Sequence, residues 1–280
     1  MPVIKYDQAI VYASVDESEY FVFPVSNISI TAQSSLQAGR ILAPNQNDNF
    51  RIAGPLVSKI SLTFLASKGE VVYLGGTSYD SNFAQLIFNQ LTGFDKLTVL
   101  KFGENVFSGC YLDSASIQIS NFAPVTVSAE FTCLNAPTGL PIIPDTVGKI
   151  IASNHEDIAY GFNTQITNGT LLSDSNRDTI TYKVDCNRTY STAIGQINPN
   201  NIFLDSIEKE LNIKSTNIGN YIDYRSYGDV INIDPKNASG QSIISGGFGM
   251  SSNSRIMSQN ISIAEGSILA GDISLREIVL

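Results

Sequence analysis

The only histidine, His155, stands next to Glu156 and Asp157, and any nucleophilic mechanism with an imidazole base would have to run through it. Its position in a proline-bearing linker reads as a solvated loop. Carboxylates offer a second chemistry. Asp174, Asp178 and Asp185 are close in sequence, as are Asp223 and Asp229, but neither group has the compact loop of a calcium hand. Paired carboxylates for glycoside hydrolysis have no spacing signature, and the chain has no Trp to serve as a sugar platform. Gly246, Gly247 and Gly249 in SGGFGMSS lack the following Lys of a phosphate cradle and read as a flexible loop with Phe248 as its apolar tip. Cys110, Cys133 and Cys186 have no metal-type spacing and leave one over if two pair, so they read as small buried residues. The sequons beginning at Asn27, Asn168, Asn187, Asn237 and Asn260 read as turn composition. No catalytic, cofactor-binding or metal-ligating residue is assigned, no cofactor is expected, and the chain is not expected to be an enzyme.

Composition narrows the partners. With 43% hydrophobic and 15% charged residues over 280 positions, the chain is globular and long enough for one large or two ordinary domains. A net charge of −9 without clustered Lys and Arg argues against tight binding to a nucleic-acid backbone, while leaving room for a surface that touches DNA without holding it. No apolar run reaches the roughly 20 residues of a spanning helix. The first residues lack the basic and apolar regions of a secretory signal, so folding in a cytoplasm without membrane partners is expected.

The elements follow from periodicity. From Ile117 to Cys133 apolar residues take the odd positions and Ser, Thr, Gln and Glu the even ones, which gives two half-buried strands joined at Asn121 to Pro124. The pattern returns 144 residues later, Ile261 and Ile263 for Ile117 and Ile119, Ile273 and Leu275 for Ala129 and Phe131, around a turn at Glu265-Gly266. Weaker matches pair Ile28–Arg40 with Ile158–Thr170 at an offset of 130, and Val57–Ala66 with Arg177–Cys186 at 120, with the difference assigned to an insertion in LAPNQNDNFRI. Two helices are expected. Asn82 caps FAQLIFNQL, with Phe83, Ile87 and Leu91 on one face and Gly93 at its end; Asn200-Asn201 caps IFLDSIEKELN, with Phe203, Ile207 and Leu211 at the same spacing. In the second helix Glu208, Lys209 and Glu210 form a solvated face or a charged contact with a neighbouring subunit. Segments AIVYASV and EYFVFPV read as edge strands or a docking arm.

The expected fold is therefore mainly β, with two tandem β-sandwich or barrel-like domains, each flanked by one α-helix. Residues 1–136 form the first domain with its N-terminal arm, 137–156 a linker, and 157–280 the second domain with a long loop or hairpin insertion at about 213–250.

The stretch GCYLDSASIQISNFAPVTVSAEFTCLNA resembles the closing strand pair of bacteriophage tail tube proteins, and the order of arm, strands, loop, helix and closing hairpin is similar to that family. The second copy departs from it, with no Pro-Val-Thr in IAEGSILAGDISL. The resemblance implies a virion structural protein assembled in the host cytoplasm, with three two-domain chains forming a pseudo-hexameric ring that stacks into a hollow tube. Its partners would be copies of itself, other phage tail proteins, and DNA passing through the lumen without specific binding. Strand edges would close the ring, and loop 40–55, the arm and the linker would join rings. Alternatives are another tail, neck or baseplate ring component, or a two-domain β-sandwich that binds carbohydrate or a cell surface.

Overall fold

The computed structural model describes residues 10–33, 36–39, 49–52, 57–68, 71–73, 82–103, 105–134, 155–167, 177–191, 199, 201–215, 230–262 and 270–279. In chain order its strands begin with β1 (Ile10–Ser14), β2 (Glu19–Pro24), β3 (Asn27–Gln33), β4 (Leu36–Gly39), β5 (Asn49–Ile52), β6 (Val57–Leu65) and β7 (Val71–Tyr73). Helix α1 (Phe83–Leu86) continues as a π-helical turn, Ile87–Leu91, and is followed by β8 (Val99–Phe102), β9 (Asn105–Phe107), β10 (Cys110–Ser120) and β11 (Thr126–Cys133). The second half adds β12 (Gln165–Thr167), β13 (Arg177–Ser191), β14 (Asn201–Ser215), β15 (Ile231–Asp234), β16 (Phe248–Met250), β17 (Arg255–Ser262) and β18 (Ala270–Val279). The fold is mainly β, as its alternating sequence requires.

One antiparallel sheet organises the molecule, with eight strands in the order β17-β18-β14-β13-β10-β11-β6-β3. Its core face is covered on one side by the sheet β7-β2-β1-β8-β9 and α1, and the sheet β12-β15-β16 supplies further core residues. A single apolar core draws residues from both halves, from Val11 to Leu275. A smaller cluster, Tyr20, Val22, Val99 and Val106, lies on the other side of the five-stranded sheet.

The eight strands are two sets of four in the same order. Across the first set, one row of paired residues reads Ile30, Ile60, Phe131, Leu112. Across the second it reads Tyr182, Leu211, Leu275, Ile256. The next row is Ile28, Leu62, Ala129, Ala115 against Ile180, Ile213, Ile273, Gln259. Even the irregularity recurs: a β-bulge falls between Leu112 and Ser114 in β10 and between Ile256 and Ser258 in β17, 144 residues later. The outer hairpin repeats as well, Leu36 opposite Ile52 and Arg188 opposite Leu204, 152 residues apart on both sides, with nine residues between the strands in each copy (40–48 and 192–200).

These registers correct several expectations. The offset of 144 for the closing hairpins holds, but the offsets of 120 and 130 do not: β6 corresponds to β14, and β3 to β13. Adjacent strands share the same two-residue alternation, so a sequence match cannot tell one from its neighbour. No ten-residue insertion separates the copies in LAPNQNDNFRI, and Asn49–Ile52 of that stretch is β5. The helix expected over 202–212 is strand β14. Ile207, Lys209, Leu211 and Ile213 alternate with Glu208, Glu210 and Asn212, and two neighbours, β13 and β18, take up its backbone. Segments AIVYASV and EYFVFPV hold β1 and β2, which are interior strands of their sheet and neither edges nor an arm. Of the linker, residues 137–154 lie outside the described residues.

Helix α1 forms where expected. Asn82 is fully buried; its side chain accepts from Gln85 N at 2.8 Å and donates to Ile243 O at 2.5 Å, so the cap is tied to the second half. Phe83, Ile87 and Leu91 are all buried on one face. Ile243 belongs to the 213–250 region, whose described part is a packed layer. Ile231, Ile233, Ile244, Phe248 and Met250 are buried, and β15 pairs with β16 as a hairpin. Phe248 is therefore not a mobile tip: its ring lies 4.9 Å from Tyr182 and 5.6 Å from Phe88. Gly249 is needed for this approach, because a Cβ there would meet Ile231 O at 1.8 Å.

Candidate functional site

Among the described residues, the candidates for chemistry do not converge. His155, Glu156 and Asp157 form a single 3₁₀ turn, in which Asp157 O accepts from Lys68 N. Asp178 and Asp185 lie on β13, Asp185 paired with Lys183 at 2.7 Å. Asp174, Asp223 and Asp229 lie outside the described residues. Among the described residues no three His, Cys, Asp or Glu side chains come together as a metal site. Glu208 pairs with Arg276, and Lys209 lies 3.9 Å from the buried Glu277, whose carboxylate accepts from Ser251 N at 2.9 Å and Ser251 Oγ at 2.7 Å. No helix among the described residues is long and apolar enough to cross a membrane.

What the fold does build is a junction between its two halves. β10 pairs with β13 over seven residues, Ser114 opposite Asp185 through Ser120 opposite Thr179, so the last strand of the first set meets the first strand of the second. Side chains of β13 close the end of the helix. Arg188 donates through Nη2 to Gly93 O at 2.6 Å and Leu91 O at 3.4 Å, and through Nε to Leu112 O at 3.2 Å, with its guanidinium over the Tyr111 ring. The Cys186 thiol donates to Thr92 O at 3.5 Å. The Leu91, Thr92 and Gly93 carbonyls are ones that a helix end leaves without intrahelical donors, and Leu112 O belongs to β10. Beside them, Asp113 accepts from Tyr190 and Thr132. From the other end, Ile158–Tyr160 stitches the halves: Ala159 N donates to Ala66 O, Val125 N to Ala159 O, and Tyr160 N to Lys236 O.

Burial at this junction has a pH signature. It pushes the Cys186 thiol from its ordinary 9.0 up to about 11, against the opposing pull of Arg188. Burial also raises Tyr182 and Tyr190, with Glu277 and Asp113 adding to the effect. Groups raised in the folded state contribute stability that is whole below their unfolded values and lost as pH rises through the folded ones. Thermal stability should therefore fall across the interval from about 9 to 11 set by Cys186. Native Cys186 should resist a thiol reagent at about pH 8 and react once denaturant is added; rapid native labelling would contradict the burial. Cys110 and Cys133, expected as small buried residues, are fully buried and are joined by a disulfide. They stand directly opposite each other in the β10–β11 register, which is the signal that links them.

The face of the eight-stranded sheet away from the core is polar. One row across it reads Thr63, Ser128, Ser116, Lys183, Glu210 and Arg276. Hydroxyls dominate the first half, where Thr63 Oγ1 and Ser128 Oγ lie 3.1 Å apart, and paired charges the second. Among the described residues the charges on this face are of both signs, with Lys183 paired to Asp185 and Arg276 to Glu208. At the two ends of the sheet, β3 and β17 have no partner strand among the described residues. Comparison with protein-family models and with curated protein sequences finds no match.

Proposed function

We propose that the chain is a structural subunit that polymerises through its sheet, and specifically a bacteriophage tail tube protein in which one chain supplies two tube units. The observation that carries this reading is the head-to-tail joining of two four-stranded sets with matching registers. A unit that joins its own copy in this way presents the same two surfaces again at its outer ends, and repetition of one heterologous contact gives a ring or a filament. Three chains would bring their eight strands each into one barrel about 40–50 Å across, from strand spacing and tilt. With the polar face inward, hydroxyls and neutralised charges would line a bore that a polyphosphate passes without being held. The net charge of −9 fits a conduit of this kind. In this role the protein would reside in the virion tail.

Electron microscopy of the purified protein over a concentration series, with masses from light scattering, tests the proposal. Hollow rings or tubes of uniform width, in multiples of three chains, are expected. A monomer at every concentration overturns it.

A further inference from the structure

The internal junction is also a template for the contact between chains. We infer that β17 of one chain pairs antiparallel with β3 of the next in one fixed register, Asn260 opposite Thr31. The inference rests on the assembly reading above and adds to it the edges, the register and the identity of the partner, a second copy of this chain.

The register follows from two independent correspondences. β10 maps onto β17 with its bulge, Leu112 onto Ile256 and Ser114 onto Ser258. β13 maps onto β3 through the rows of the sheet, Tyr182 onto Ile30 and Ile180 onto Ile28. Within the chain, Ser116 faces Lys183, Ile117 faces Tyr182, and Gln118 faces Thr181. Carried to the outer edges, these pairs become Asn260 with Thr31, Ile261 with Ile30, and Ser262 with Ser29. The core row then continues from chain to chain. Ile30, 39% exposed at its open edge, takes the place that Tyr182 holds at 3% inside the junction.

The edges are also built to pair. Long open strands in a protein that stays monomeric are blunted by Lys, Pro or inward charges. β3, NISITAQ, has none of these over seven residues, and β17, RIMSQNIS, has only Arg255 at its start. The edge strands of the five-stranded sheet, by contrast, are three residues each. Gln259 on β17 keeps its Nε2 out of solvent with no hydrogen-bond partner among the described residues. Pairing in a shifted register would turn the core row toward the polar face or leave it unmatched.

Cysteine pairs read the register directly, because Cys110 and Cys133 are already bonded and Cys186 is buried. Thr31 and Asn260 are both exposed. The double variant T31C/N260C, mildly oxidised, should give a ladder of covalent oligomers about tenfold faster than S29C/N260C or T31C/S258C, each slipped by two residues. T31C mixed with N260C should give dimers and nothing larger, and each single variant alone should give none. Faster linking in a slipped pair, or dimers from one single variant, overturns the register. If light scattering and microscopy show the unmodified chain assembling while T31C/N260C does not link, the edge inference is wrong and the assembly reading stands. If the chain never assembles, both fall.

Discussion

Phe83→Ala is expected to lower the unfolding free energy by about 3–5 kcal/mol, the range for removing a fully buried aromatic from a close-packed core. Phe83 is where three layers meet. Its ring lies 4.3 Å from Phe23 and 6.1 Å from Phe21 on β2, 5.6 Å from Phe64 on β6 and 6.3 Å from Phe131 on β11. These rings belong to both large sheets, and the helix that carries Phe83 is the plug between them. Alanine would leave a cavity that neither sheet can fill, because their backbones are fixed by neighbouring strands. Against a typical total of about 5–15 kcal/mol, the loss is large enough to appear as partial unfolding at ambient temperature. Urea titration followed by circular dichroism measures it. A loss under about 1 kcal/mol would mean that the sheets are not held apart by this ring. The milder Phe83→Leu should cost about 1–2 kcal/mol, since most of the buried surface stays.

How far the sequence discloses this architecture depends on which contacts are local. The β10–β11 hairpin is legible because its strands alternate cleanly and face each other across a short turn, and the same logic finds β17 and β18. Helix α1 is legible because its cap, apolar face and terminal Gly93 all lie within twelve residues of one another. Residues 202–212 satisfy two periods at once. Ile207 and Leu211 are four apart, as on a helix face, and also even-spaced with Lys209 and Ile213, as on a strand. The neighbours that decide between them, Cys186 across from Ile207 and Leu275 across from Leu211, are remote in sequence. The same remoteness hides Arg188, one of three cations in β13, whose three acceptors lie more than 70 residues away. It also hides which edges remain open, because that is a property of sheet order and not of any one strand.

Arg188 is the residue that distinguishes the junction inside the chain from the one inferred between chains. Its position corresponds to Leu36 in the first set, so a cation holds the internal seam and none is supplied by β4 at the outer one. Arg188→Met keeps the length of the side chain and removes its donors, leaving Leu91, Gly93 and Leu112 carbonyls without them. The expected cost is about 2–4 kcal/mol, from charged hydrogen bonds at a half-buried helix end. Arg188→Lys should recover less than half of that, because one ammonium cannot reach three carbonyls that a planar fork spans. A general loss of packing would lower amide protection everywhere alike. The seam argument requires instead that amide exchange rise first in β10, β13 and the turn ending at Leu91, while β6 and β11 stay protected to the global limit. Uniform exchange across all of these strands, or a cost under about 0.5 kcal/mol, would remove Arg188 from its role. Selective opening would show that the two halves are held by a side chain acting through the helix end as well as by the pairing of β10 with β13.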